Sequence, residues 1–164
     1  MKIAVFPGSF DPFTIGHYDI VERSLQLFDR VIILIAINSS KKSYFNLDDR
    51  IKSIETCFQY DGRVTVKTSD LLTVDFCKTL ETKDFVVVRG LRNSVDFQYE
   101  KDLAHINKLL GDIETVFLLA KPEHAICSSS FVRELFKYNK IEEAKKWFGE
   151  THCLKSQPKV MHFP

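Results

Sequence analysis

Five short apolar runs punctuate the chain, at residues 3–6, 31–37, 64–67, 85–88 and 115–119, and most are continuous and rich in β-branched side chains. Continuous runs, unlike alternating ones, are what a sheet covered on both faces requires. Between them the pattern changes to a helical period. His17, Ile20, Val21, Ser24, Leu25 and Phe28 fall on one stripe, and Leu47, Ile51, Ile54 and Phe58 on a second, opened by Asn46 as N-cap with Asp48 and Asp49 in the first turn. Thr73, Phe76, Cys77 and Leu80 make a short third stripe. Val95, Tyr99, Leu103, Ile106 and Leu110 make a fourth behind Asn93 or Ser94, and Phe131, Leu135 and Tyr138 begin a fifth after the serines at 128–130. This alternation predicts an α/β fold, a doubly wound five-stranded parallel sheet of Rossmann-like type in the order 3-2-1-4-5. Ligands of such sheets bind beyond the carboxyl ends of the strands where the winding reverses. The chemistry is therefore expected after Phe6 and Val88.

Composition narrows the picture mainly by exclusion. The 164 residues hold no repeat and no linker, so residues 1 to about 150 read as one domain, with 151–164 a tail of undetermined structure. A formal net charge of +1 gives no general attraction to nucleic acid or to an anionic membrane, so anion recognition must come from a local cluster of cations. The longest apolar run, residues 31–37, is far below the roughly 20 residues of a membrane helix. The apolar stretch before Pro7 is too short for a secretory signal. Cys57, Cys77, Cys127 and Cys153 form no C-x-x-C pair and have no histidine at zinc-ligand spacing. Reduced thiols, no protein-bound metal cage and a cytoplasmic location are expected.

Four segments carry candidate chemistry. PGSFDPFTIGH, residues 7–17, follows the first strand. Its two prolines and Gly8 make a stiff turn that lets backbone approach a ligand, and Thr14 can cap the next helix. Gly16 leaves room at the helix start, where free N–H groups and the dipole favour an anion. A lone histidine on an apolar stripe is ordinarily a core residue. His17 instead sits in the first turn, facing the switch-point crevice, and is the candidate catalytic group. RGLR, residues 89–92, follows the fourth strand, and two arginines there offer planar forks for phosphate oxygens. CSSSFVR, residues 127–133, gathers hydroxyls and free N–H groups at a helix start, although Ser128 could serve only as a cap. In NSSKK, residues 38–42, Lys41 is a mobile point charge near the crevice.

G-S-F-D-P…T-x-G-H resembles the H-x-G-H signature of the nucleotidylyltransferase superfamily, with Thr14 in the first histidine's place. CSSSFVR resembles its second signature, I-S-S-[ST]-x-x-[RK]. With SSKK, L-x-V-D-F and RGLR followed by Asp96-Phe97-Gln98-Tyr99-Glu100, the set resembles the bacterial phosphopantetheine adenylyltransferases over residues 1 to about 138. The resemblance implies adenylyl transfer from ATP to 4′-phosphopantetheine with Mg²⁺, in line and without a covalent intermediate. It also implies a homohexamer, with coenzyme A as a feedback ligand. His17 and Lys41 would be catalytic. Ser9, Phe10, His17, Gly90, Leu91, Arg92, Glu100, His124, Ala125, Ile126, Cys127, Ser128, Ser129 and Ser130 would bind ATP. Ser9, Lys41, Leu72, Thr73 and Arg89 would bind the acceptor. The chain departs from the family at Leu71, where glycine is common, and after Tyr138, where IEEAKKWFGE replaces a glycine turn and a Val-Pro stretch. The alternatives are a nucleotidyltransferase with another phosphorylated acceptor, or a non-catalytic nucleotide-binding regulator.

Overall fold

The computed structural model describes residues 1–151; Cys153 and nearly all of the tail lie outside them. Five strands, β1 (Ile3–Gly8), β2 (Arg30–Ala36), β3 (Val64–Ser69), β4 (Phe85–Leu91) and β5 (Thr115–Leu119), form one sheet in the order β3-β2-β1-β4-β5. Every pairing is parallel, with Val5 opposite Ile32 on one side and Val87 on the other. The predicted order and the predicted switch between β1 and β4 are both found.

The continuous apolar runs are explained by two cores. Side chains alternate along a strand, so Ala4 and Phe6 pack with Ile33, Val88, Ile20 and Ile54, while Val5, Leu34 and Val87 pack with Val74, Cys77 and Ile113. Helices α1 (Ile15–Ser24) and α2 (Leu47–Phe58) thus cover one face, and α3 (Thr73–Lys78) lies on the other with α4 (Ser94–Gly111) beside it. The predicted caps Thr14, Asn46, Asn93 and Ser128 all accept hydrogen bonds from first-turn amides. Helix α1 ends at Ser24, so Leu25 and Phe28 reach the core from the following turn rather than from the helix. Burial pushes the Cys77 thiol up to about 11.

The fourth stripe behaves differently from the expectation. Helix α4 has no fully buried residue, and Val95, Tyr99, Ile106, Leu109 and Leu110 are exposed, Val95 by 76% and Leu109 by 84%. The second face of the sheet is shared with α3, which takes the central positions through Val74 and Cys77. Much of the α4 stripe is left on the surface.

The C-terminal departure from the family also takes shape. After α5 (Ser129–Lys137) and α6 (Ile141–Lys145), the chain runs back against the loop between β1 and α1. Ile15 N–H donates to the Trp147 carbonyl at 3.0 Å, and Gly149 N–H donates to the Phe13 carbonyl at 3.1 Å. Among the described residues, no helix is long and apolar enough to cross a membrane.

Candidate active site

At the carboxyl ends of β1 and β4 lies an open cavity of about 310 Å³, lined from Phe6 to Phe10, by Thr14, Gly16, His17 and Ile20, by Arg89, Gly90, Arg92, Asp96 and Glu100, and by residues of the α5 entrance. The two segments expected to follow Phe6 and Val88 meet there. Strand β4 runs on to Leu91, so Arg89 and Gly90 belong to its last turn of pleat.

The loop 9–14 is fixed from several sides. Phe10 has φ of 46°, a left-handed conformation that a bulky residue adopts only when its surroundings hold it there. Its ring lies so close over Gly8 that a Cβ at position 8 would stand 3.0 Å from Phe10 Cζ. Buried Asp11 accepts from the Tyr44 N–H at 2.7 Å and the Phe45 N–H at 2.8 Å, joining this loop to the one between β2 and α2. Arg50 donates to the Ser9 carbonyl (2.8 Å) and Arg133 to the Asp11 carbonyl (2.6 Å). These struts were not legible in the sequence, because each joins residues more than thirty positions apart.

His17 is the third residue of α1, and its Nδ1 accepts a hydrogen bond from the Thr14 N–H at 3.0 Å while Thr14 Oγ1 accepts from the His17 N–H at 3.4 Å. This is a reciprocal capping box in which histidine takes the place usually held by glutamate or glutamine. The T-x-x-H spacing in the sequence was the signal for it. Because Nδ1 is an acceptor, the neutral ring carries its proton on Nε2. The ring is enclosed by Phe10, Phe13 and Phe6, with centroids 5.0, 5.6 and 6.1 Å away. Burial, reinforced by Arg92 and Arg89, depresses its pKa to about 3. At neutral pH the side chain is an uncharged donor.

The two arginines are held by two carboxylates one helical turn apart on α4. Arg89 Nη2 donates to Glu100 Oε1 at 2.7 Å, Nε donates to Oε2, and Nη1 donates to the Pro7 carbonyl at 2.7 Å. Asp96 holds Arg92 in the same side-on manner. The linkage of RGLR to D-F-x-Y-E is therefore physical: the helix supplies the clamps for the arginines of the strand.

The α5 serines have divided duties. Ser128 Oγ caps the helix by accepting from Phe131 N–H at 3.0 Å, Ser129 Oγ donates to the Pro12 carbonyl at 2.7 Å, and Ser130 Oγ accepts from Arg133 Nη2 at 3.0 Å. The capping reading of Ser128 is correct, and Ser129 and Ser130, in the first turn where amides lack intrahelical partners, line the cavity. His124 also lines it, with an Nδ1 that has no partner among the described residues.

Of the expected site residues, Ser9, Phe10, His17, Arg89, Gly90, Arg92, Glu100, His124, Cys127, Ser128, Ser129 and Ser130 line this cavity. Leu91 is buried, whereas Ala125 and Ile126 are exposed beside it. Lys41, Leu72 and Thr73 lie outside the lining, Lys41 in an exposed turn whose N–H donates to the Asn38 carbonyl at 3.1 Å. Their distance has a simple cause. Lys41 follows β2 and Leu72 and Thr73 follow β3, one and two strand spacings of roughly 5 Å from β1. Asp96 and Arg133 are lining residues that sequence reasoning did not assign to the site. Among the described residues, no three His, Cys, Asp or Glu side chains are grouped to hold a metal ion.

Comparison with known proteins agrees with this geometry. Residues 5–135 match the Cytidylyltransferase-like family. The chain is 50% identical to the phosphopantetheine adenylyltransferase of Cytophaga hutchinsonii over 84% of its own length and 91% of the relative's. It is 44% identical to that of Bacteroides fragilis over 85% and 92% of the two chains. In fold it is similar to a bifunctional NMN adenylyltransferase/ADP ribose pyrophosphatase from Francisella tularensis, with a TM-score of 0.62 at 18% identity, covering 94% of this chain and about half (48%) of that one. A sheet that switches between β1 and β4, a T-x-G-H helix start in the crevice and sequence identity along almost the whole of its relatives together place this chain in the phosphopantetheine adenylyltransferase family of nucleotidyltransferases.

Proposed function

We propose that the chain transfers the adenylyl group of ATP to 4′-phosphopantetheine, giving dephospho-coenzyme A and pyrophosphate. The observation that carries this reading is the His17 ring, a neutral Nε2–H donor beside two clamped arginines and a serine-rich helix start. An acceptor phosphate monoester is close to a dianion at neutral pH, its second pKa being about 6, so no strong general base is needed. One of its oxygens bonds to the α-phosphorus of ATP as the bond from that phosphorus to the bridging oxygen of the β-phosphate breaks, and pyrophosphate leaves. What the protein must supply is alignment and charge stabilisation.

His17 Nε2–H is the donor to the α-phosphate, and it keeps that role without changing protonation. Arg92 and the Ser129 and Ser130 amides hold the leaving pyrophosphate. Ser9 and Phe10 line the nucleotide and acceptor sides of the first loop, Gly90 and Leu91 lie under the nucleotide, and His124, Ala125, Ile126, Cys127 and Ser128 cover it. Glu100 acts through Arg89, which binds the acceptor. Lys41, Leu72 and Thr73, spread along β2 and β3, suit a long acceptor arm reaching away from the cavity. Lys41 adds charge at the reacting phosphates by a movement of its exposed turn. A divalent cation, Mg²⁺ in this reading, fits as an ion carried on the triphosphate oxygens, because the cavity carboxylates Asp96 and Glu100 are engaged by arginines. It would neutralise phosphate charge.

The exposed α4 stripe supports self-association, with a homohexamer as the assembly. Coenzyme A, which contains both halves of the product, would bind the same cavity as a feedback ligand. The test is pyrophosphate release from ATP or CTP with 4′-phosphopantetheine, glycerol phosphate or nicotinamide mononucleotide. Turnover is expected with ATP and 4′-phosphopantetheine, and turnover confined to another pair would overturn the reading. A non-catalytic regulator would bind ATP and release no pyrophosphate with any acceptor.

A further inference from the structure

Arg92 and Asp96 are joined by three hydrogen bonds. The Arg92 backbone N–H (3.1 Å) and Nε (2.7 Å) both donate to Asp96 Oδ2, and Nη2 donates to Oδ1 at 2.9 Å. The carboxylate therefore fixes the backbone just past β4 and the guanidinium together. Asp96 is itself anchored, since its own N–H donates to Asn93 Oδ1 at 2.9 Å in the α4 cap. An exposed i, i+4 pair would contribute little. Here the Arg92 and Asp96 side chains are only 34% and 20% exposed, and both line the cavity.

The contrast with Arg89 shows what this clamp leaves open. Each nitrogen of the Arg89 guanidinium has one protein acceptor, in Glu100 or Pro7, which leaves a single N–H on each Nη for the acceptor phosphate. Arg92 has Nε and Nη2 occupied, and its Nη1 has no partner among the described residues. The second arginine thus presents a free donor edge, and Asp96 sets its direction.

We propose that Asp96 is a positioning residue that aims Arg92 Nη1 at the leaving pyrophosphate. This rests on the reading of the reaction given above. Removing the clamp keeps the positive charge but lets the long side chain sample other rotamers. Asp96→Asn can accept only one of the side-chain bonds, its amide nitrogen being a donor set against a donor.

A double-mutant cycle over Asp96→Asn and Arg92→Ala tests the proposal, read as kcat, as KM for each substrate and as calorimetric affinity for inorganic pyrophosphate. Contacting residues couple enough to change rates by about 2- to 150-fold. Asp96→Asn alone is expected to lower kcat and pyrophosphate affinity by about 10-fold, with the KM for 4′-phosphopantetheine unchanged. In the Arg92→Ala background it is expected to change either quantity by less than about 2-fold. Asp96→Glu, which keeps the charge and the helix start, is expected to recover most of the loss and covers the case in which Asp96→Asn folds poorly. Equal losses in both backgrounds, or no loss in the first, would overturn the proposal while leaving the reaction intact. If the wild-type protein makes no pyrophosphate from ATP and 4′-phosphopantetheine, the functional reading fails, and the pyrophosphate affinities of the four proteins still decide whether Asp96 acts through Arg92.

Discussion

Replacing His17 by asparagine separates the two nitrogens of the ring. The Asn Oδ1 reaches about as far as Nδ1, so it can still accept from the Thr14 N–H and the capping box survives. What disappears is the Nε2–H and the ring contact with Phe10, Phe13 and Phe6. Loss of one preorganised donor to a developing charge costs about 10²- to 10³-fold in turnover, and a fall of that size is expected for His17→Asn at saturating ATP and acceptor. The pH behaviour carries a second signature. The folded ring titrates near pH 3, well below its ordinary 6.5, so His17 contributes no limb to kcat between pH 5 and 9.

The stability sign follows from the same shift. Above pH 6.5 the ring is neutral in both the folded and unfolded chains, and its contribution is at its full value. As pH falls through 6.5 towards 3 the unfolded chain takes up a proton that the folded one refuses, and up to about 1.4 kcal/mol of stability is lost per pH unit. Between pH 6.5 and 5 this amounts to about 1.6 kcal/mol, a loss His17→Asn should not show. Urea melts of both proteins at the two pH values, with pyrophosphate-release kinetics, measure all of these quantities. Retention of turnover within tenfold of wild type, or a wild-type kcat limb near pH 6 to 7 that vanishes in the variant, would refute the neutral-donor argument.

Gly16→Ala should leave stability unchanged or raise it by up to about 1 kcal/mol. The added methyl meets Thr14 and Cys127 only at 3.6 and 3.8 Å, yet it should raise KM for ATP by narrowing the cavity. Asp11→Asn should cost about 2 kcal/mol in chemical denaturation, because one of the Tyr44 and Phe45 amides would then face a donor. Gly149→Ala should destabilise by about 1–3 kcal/mol and lower the thermal midpoint, since the new Cβ would stand 2.5 Å from the Phe13 ring. If that midpoint is unchanged, the C-terminal segment does not brace the first loop.

The strand order, the crevice and the segments facing it were legible in the sequence because they rest on local patterns. Short, continuous β-branched runs bounded by helical stripes suit strands covered on both faces, and a doubly wound sheet has its switch point at a fixed place. T-x-G-H and RGLR announced themselves by sitting where a structural residue has no reason to be polar. Tertiary structure decided everything that depends on partners distant in the chain. Arg50 and Arg133 prove to be struts for the first loop, and the Trp147–Gly149 stretch braces it from behind. The apolar stripe of α4 has the right period for a core helix, yet most of it stays on the surface, because periodicity records which face is apolar and not what covers it. The sequence placed His17 in the crevice. Its tautomer and its neutral charge come from the Thr14 amide, the three phenylalanine rings and the two arginines that folding brings around it.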